Sequence, residues 1–303
     1  MMYKLKNLIG RIVVIGFIWR LSKPLIKLSN FIQRRKKLMA HGINISKPVN
    51  REEIIEILKE PVVKYGPFKG LKYPHFYSFG SMLFPKIIGS YEKEIVPAIE
   101  DICTKQYADV IDIGSAEGYY SVGFAMNIPN ATIHAYDVSK EAREFNLELA
   151  KLNGVEDRIE FNTFCSEAEI TNFNYRGKTL IISDCEGYES KIFTKNNIDR
   201  LSNCDLLIEV HDNMNIRNSN DLWRLFEKTH NVQVIQSISD VNKVKMYSFP
   251  ETEGLSFETK YNMFSEDRFG IMEWFYITPK QEKKQVVENE AMVKEQEKVA
   301  KLV

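Results

Sequence analysis

The stretch Asp109-Val110-Ile111-Asp112-Ile113-Gly114-Ser115-Ala116-Glu117-Gly118-Tyr119-Tyr120 runs an apolar, strand-forming segment into two closely spaced glycines. An extended buried run ending at Gly114 must turn tightly there, and Gly118 lets the following helix begin close to a ligand. The spacing is G-x-x-x-G. It is not the G-x-G-x-x-G that cradles a dinucleotide pyrophosphate, and the chain holds no G-x-x-x-x-G-K-[ST] for a nucleoside triphosphate. The backbone must approach something here, and the spacing argues against phosphate cofactors without removing a nucleotide-sugar or dinucleotide enzyme as an alternative.

Outward from this stretch the pattern alternates between periods of about two and about 3.6 residues. Glu117 to Met126 reads as a helix, Thr132 to Tyr136 as a strand, and Ser139 to Asn153 as a helix with Glu, Arg, Leu and Ala at helical spacing. Arg158 to Phe164, Thr179 to Ser183 and Asp205 to Val210 read as further strands. Strands separated by helices of this length imply βαβ units and a parallel sheet. Val232 to Ile238, Val244 to Phe249 and Ile271 to Ile277 read as strands without intervening helices, so the sheet is expected to close antiparallel. The predicted fold class is α/β: a Rossmann-like sheet, mostly parallel with an antiparallel C-terminal strand pair and helices on both faces.

The 303 residues, 44% of them hydrophobic, suffice for one large domain with appendages. Lys plus Arg and Asp plus Glu both number 41, which gives no overall bias toward a polyanion. The charge is unevenly placed: ten Lys or Arg and no acid fall between Met1 and Ala40. The apolar run Ile12 to Trp19, bracketed by Arg11 and Arg20, is far short of the roughly 20 residues that span a bilayer. No small-residue cleavage site follows it, which argues against secretion. Its basic, amphipathic character suits either peripheral contact with an anionic membrane surface or a solvated helical extension. The expected organisation is a basic helical extension over 1–60, a catalytic domain over 61–280 and a charged helical tail over 281–303. Cys103, Cys165, Cys185 and Cys204 show no zinc-like spacing and read as reduced core or site-lining thiols, which with the basic N-terminus points to the cytoplasm or the inner face of the membrane.

The glycine stretch resembles motif I of class I S-adenosylmethionine-dependent methyltransferases. Asp137, ending His134-Ala135-Tyr136-Asp137 and lying 23 residues past Gly114, fits the acid that holds a ribose hydroxyl pair, although it could also cap the helix beginning near Ser139. Ile182-Ser183-Asp184-Cys185-Glu186-Gly187-Tyr188-Glu189 resembles the D-x-E-G-x-E motif of FkbM-like methyltransferases, and Gly89-Ser90-Tyr91-Glu92 and Leu207-Ile208-Glu209-Val210-His211-Asp212 also resemble segments of that family. The resemblance covers about residues 85 to 280. It implies O-methylation of a hydroxyl on a sugar, glycan or small metabolite, with S-adenosylmethionine as cofactor. Asp112, Gly114, Ser115, Glu117, Gly118, Tyr119, Asp137 and Tyr91 are the candidate cofactor contacts. One departure stands out: Phe164-Cys165-Ser166 occupies the place where many class I enzymes carry an acid for the adenine amine.

Strand ends in such sheets bring Asp184, Glu186 and His211 to the mouth of the site, and these are the candidate catalytic residues. His211 is the preferred base, since its ordinary pKa of roughly 6.5 leaves a neutral fraction. It could instead be the satisfied partner of an acid such as Asp212. Glu186 and Glu189 also suit support of the helix beginning near Tyr188. Asp184, Glu186, Glu209, His211 and Asp212 together form an oxygen-rich set of the type that suits Mg²⁺ or Mn²⁺, a second route to activating a hydroxyl. Sequence cannot bring them within bonding distance, so no metal ligand is assigned. The catalytic part lacks a basic stripe and an Asn/Asp-Pro-Pro-aromatic pattern, so no nucleic-acid partner is expected. A catalytically silent Rossmann-like binding module tethered at a membrane remains the alternative.

Overall fold

The computed structural model describes residues 51–268, 270 and 272–280. Of the basic extension expected over 1–60, residues 1–50 lie outside the described residues, as does the charged tail from 281. No described helix is long and apolar enough to cross a membrane.

Seven strands form one mixed sheet in the order β3-β2-β1-β4-β5-β7-β6. The strands are β1 Asp109–Ile113, β2 Thr132–Tyr136, β3 Ile159–Asn162, β4 Thr179–Ser183, β5 Cys204–Val210, β6 His230–Gln236 and β7 Glu273–Pro279. β1 to β5 pair in parallel, whereas β7 pairs antiparallel with both β5 and β6. Burial follows position in this order. β1, β4 and β5 lie in the middle, covered on both faces, and every residue in them is buried. β2, nearer an edge, alternates between buried and half-exposed residues.

The helices between the parallel strands are α4 Tyr119–Asn127, α5 Lys140–Leu152, α6 Glu167–Asn172 and α7 Glu189–Ile192. They follow α1 Arg51–Leu58, α2 Leu83–Ile88 and α3 Val96–Cys103, and precede α8 Asn218–Phe226, α9 Asp240–Met246 and α10 Phe257–Phe264. α5 starts where Ser139 caps it, the hydroxyl accepting from Ala142 N at 3.2 Å. Before β1, the segment after α1 crosses over α4: Phe68 is fully buried edge-on to Tyr119, Tyr120 and Phe124. α4 accepts that ring because it carries Gly123, where a side chain would come within 2.6 Å of Phe68.

One predicted element is corrected. Val244 to Phe249, expected as a strand, falls across the end of α9 and the coil after it, and α9 and α10 both intervene between β6 and β7. Ser239 caps α9 by accepting from Asn242 N at 3.3 Å, and Lys243, wholly buried, pairs with the equally buried Glu266. A local run of Val, Met, Tyr and Phe reads as a strand only while the distant carboxylate that fixes Lys243 is out of sight.

Candidate active site

A cleft of about 470 Å³ opens at the C-terminal ends of β1, β2 and β4. It lies where β1 has β2 on one side and β4 on the other, so the connections leave in opposite directions and the strand ends part. Gly114 brings the two sides of this crevice into contact. Its φ is +84°, and an added Cβ would lie 1.8 Å from the Asp184 carbonyl oxygen. Past it, the amides of Gly114 and Ser115 both donate to Tyr136 O at 2.9 Å, which ties the glycine loop to the end of β2.

Asp137 follows β2 and borders the cleft. Its Oδ2 accepts from Ala116 N at 2.9 Å and its Oδ1 from Ser139 N at 2.7 Å. The carboxylate therefore fixes the loop and the start of α5 at once, and each oxygen keeps acceptor capacity for a ligand. Beside it, Val138 (76% exposed) and Phe164 (50% exposed) present apolar surface to the cleft, with Tyr188 packed 5.6 Å from the Phe164 ring. Cys165 and Cys185 also line it. Phe164 and Cys165 thus give an apolar wall at the place where the sequence lacks the usual acid.

Of the predicted cofactor contacts, Gly114, Ser115, Glu117, Tyr119, Asp137 and Tyr91 line the cleft. Asp112 and Gly118 are not among the lining residues. Asp112 is buried at the end of β1, with Oδ2 unpartnered, and burial pushes its carboxyl up to about 7. Gly118 sits against Asn146, whose Nδ2 donates to Ser121 Oγ at 2.9 Å. Glu117 is fully buried and serves as an internal anchor: it accepts from Ser78 Oγ at 2.7 Å and Tyr73 OH at 3.2 Å, and pairs with the buried Lys86. The Lys86 ammonium also stands 4.8 Å from the Tyr91 ring centroid and 5.0 Å from that of Tyr119.

The other end of the cleft is acidic. Asp184 and Glu186 line it, and His211 lies behind them, 3% exposed. His211 Nδ1 is 2.8 Å from Oε1 of Glu189, and Glu189 Oε2 accepts from Asn218 Nδ2 at 2.8 Å. On the opposite side of the ring, Nε2 stands 3.5 Å from Asp184 Oδ1, 3.7 Å from Glu186 Oε2 and 3.8 Å from Glu209 Oε2. Gly187 makes this convergence possible. Its φ is +93°, and a Cβ there would meet the Met214 side chain at 2.7 Å. Glu186 itself takes the left-handed conformation at φ +55°, a cost that non-glycine residues carry mainly where the surroundings demand it.

Charge is dense here. Burial, the fields of Glu209 and Glu92, and the Glu209 side chain as a hydrogen-bond partner push Asp184 well above the usual carboxylate range. Burial also raises Glu92 to about 7, although Arg268 opposes it. Arg268 pairs with both Glu92 and Glu209. Burial pulls His211 down, but the hydrogen bond to Glu189 and the fields of Glu209, Glu189 and Glu186 outweigh it, so the imidazole is held above its ordinary value. The surrounding carboxylates therefore favour the charged ring more than an imidazole at its ordinary pKa would be charged. Asp212, the acid considered as the alternative partner of His211, instead accepts from Ser219 N and Oγ at 2.9 and 2.7 Å.

Lys86, Asn146, Val138, Asn218 and Arg268 were not singled out from sequence. Only Lys86 left a signal there, as a lone cation inside the apolar run Leu83-Phe84-Pro85-Lys86-Ile87-Ile88.

No protein-family model matches the chain, and no curated protein sequence matches it. Solved structures do resemble it in shape. The O-methyltransferase TomG from Streptomyces achromogenes, in complex with S-adenosylmethionine, is 10% identical, with 62% of this chain and 80% of that one covered and a TM-score of 0.41. A precorrin-6y C5,15-methyltransferase from Geobacter metallireducens is 13% identical, with 61% and 88% covered and a TM-score of 0.41. A precorrin 8w decarboxylase from Methanobacterium thermoautotrophicum is 11% identical, with 46% and 75% covered and a TM-score of 0.37. At such identities and scores the likeness assigns no activity to this chain.

Proposed function

We propose that this protein is an S-adenosylmethionine-dependent methyltransferase that methylates a hydroxyl on a sugar, glycan or small metabolite. The observation that carries the reading is the Asp137 carboxylate, held at the end of β2 against the glycine loop and bordering the cleft at the β1/β4 crevice. The donor set suits the cofactor: a carboxylate for vicinal hydroxyls, an apolar wall at Val138, Phe164 and Tyr188 for a flat heterocycle, and carboxylates rather than phosphate-binding amides beside the place for a cation.

When bound, S-adenosylmethionine supplies a methyl group already activated on a sulfonium. The chain has then to orient an acceptor oxygen in line and remove its proton. Asp137 accepts from the ribose hydroxyls, and the loop Gly114 to Glu117 sets the floor on which the cofactor lies. Asp184, at the cleft wall, takes the hydroxyl proton. Burial and the fields of Glu209 and Glu92 raise its affinity for a proton. His211, behind it and held by Glu189, positions Asp184 and stabilises its charged form. Glu186 borders the acceptor side.

Calorimetric titration of the full chain with S-adenosylhomocysteine, beside Asp137→Asn and an NAD control, tests the cofactor. Micromolar binding, weakened at least tenfold in the variant and not competed by NAD, supports the reading. No binding by a folded wild-type protein overturns it. A panel of hydroxylated acceptors, assayed for S-adenosylhomocysteine release, then tests the reaction, and tight cofactor binding with no turnover on any acceptor would instead favour a silent binding module.

A further inference from the structure

We propose that Asp184, Glu186 and His211 form a binding site for one divalent cation of the Mn²⁺ or Mg²⁺ type at the acidic end of the cleft. One ligand atom from each lies within 4.8 Å of the other two. His211 Nε2 is 3.5 Å from Asp184 Oδ1 and 3.7 Å from Glu186 Oε2. Two ligands on one ion at about 2.1 Å stand about 3.0 Å apart when adjacent and about 4.2 Å when opposite, so a small closure of Glu186 completes the site.

Two further observations point to a cation rather than to a chance gathering of acids. The His211 side chain is almost wholly buried, yet its Nε2 makes no hydrogen bond and is aimed between the carboxylates, and Asp184 Oδ1 is likewise buried without a hydrogen-bond partner. Of the remaining polar groups of the cluster, Glu209 pairs with Arg268 through Oε1 and holds Oε2 3.8 Å from His211 Nε2, and Glu189 is taken up by His211 Nδ1 and Asn218. The His211–Glu189–Asn218 chain is the arrangement that fixes a metal-ligating imidazole, because a carboxylate on Nδ1–H leaves Nε2 as the ligating atom, where the cation takes the place of the proton that the same carboxylates hold there in its absence. Two carboxylates with one imidazole match hard or borderline divalent ions. Three protein ligands leave positions toward the cleft for water or an acceptor hydroxyl.

The D-x-E-G-x-E segment then has a physical reading in which every fixed residue acts. Asp184 and Glu186 are ligands, Gly187 lets this loop close against Met214 next to His211, and Glu189 orients the imidazole. With the ion bound, Asp184 would serve as a ligand rather than as the base, and the ion would lower the pKa of the acceptor hydroxyl; that role rests on the methyl-transfer reading. The binding of the ion does not.

The test is titration of the metal-free full chain with Mn²⁺, followed by calorimetry and by loss of the free-ion paramagnetic resonance signal. One ion per chain is expected. Glu186→Gln changes a side chain that is 79% exposed, so the variant folds, and it should weaken Mn²⁺ binding at least tenfold. Glu189→Gln should weaken it 10- to 100-fold without removing a ligand. No Mn²⁺ binding by the wild-type chain, or binding unchanged in Glu186→Gln, overturns the proposal. S-adenosylhomocysteine titrated into the same samples separates the two readings: cofactor binding without Mn²⁺ binding removes only the metal site, and Mn²⁺ binding without cofactor binding removes only the methyl-transfer reading.

Discussion

His211 Nδ1 lies 2.8 Å from Oε1 of Glu189, and both side chains are buried. A carboxylate only accepts, so Nδ1 carries the proton of that bond and the ring orientation is fixed by a residue 22 positions earlier in the chain. Glu189→Ala leaves Asn218 Nδ2 and His211 Nδ1 without their partner inside the protein. We expect a loss of about 3 kcal/mol of stability, read by urea denaturation, because removing one member of a buried charged pair leaves the other uncompensated. A loss below about 1 kcal/mol would show that water replaces the carboxylate.

Lys86 and Glu117 form a second buried pair, 3% and 0% exposed. Glu117→Leu and Lys86→Met should each destabilise the fold by about 3 to 5 kcal/mol, whereas the double variant should recover a large part of the loss. A double-mutant cycle measures this, and additive losses would mean that the pair is not coupled.

Gly114→Ala should be among the most damaging single changes in the loop, since its Cβ would fall 1.8 Å from a backbone oxygen that cannot rotate away. We expect a cost above about 3 kcal/mol. Gly254→Ala is the control: φ is +71° but nothing lies within 4 Å, so only the backbone term of about 1 kcal/mol applies. Equal shifts in the two denaturation midpoints would refute the close contact.

Asp112 sets a pH dependence. Burial raises its carboxyl to about 7, so between its unfolded value near 4 and about 7 the folded chain holds a proton that the unfolded chain has lost. This contribution therefore favours the fold at low pH and is lost as pH rises through about 7, to an extent on the order of 4 kcal/mol. Denaturation of the wild type and Asp112→Asn across pH 4 to 8 should show the gap closing in favour of the variant as pH rises, and parallel curves would exclude the shift.

Phe164→Ala removes one of the two rings of the aromatic wall formed with Tyr188. If the wall holds the adenine, binding of S-adenosylhomocysteine should weaken about tenfold, the equivalent of about 1.4 kcal/mol. An unchanged affinity would place the heterocycle elsewhere in the cleft.

The order of the first five strands and the helices after β1 and β2 were legible because their apolar runs and helical spacing are local patterns, whereas the helix at 167–172 left no comparable signal. Thr132–Tyr136 and Thr179–Ser183 have the same limits in sequence and in structure. The last third was less legible. Residues 244–249 carry apolar residues that suit either period, and what made 240–246 a helix was the Ser239 cap and the pairing of Lys243 with Glu266.

The sequence by itself determined the sheet class, the turn at Gly114 and the identity of the polar residues at the strand ends, because these follow from local pattern and from the strand positions at which side chains converge. Only the tertiary structure decided what those residues do to one another. It set Glu117 against Lys86 at the cleft wall, paired His211 with Glu189 rather than with Asp212, and brought Asp184 and Glu186 onto the other face of the imidazole. Such pairings depend on distances of a few ångströms between segments far apart in the chain, and burial gives those distances their energetic weight.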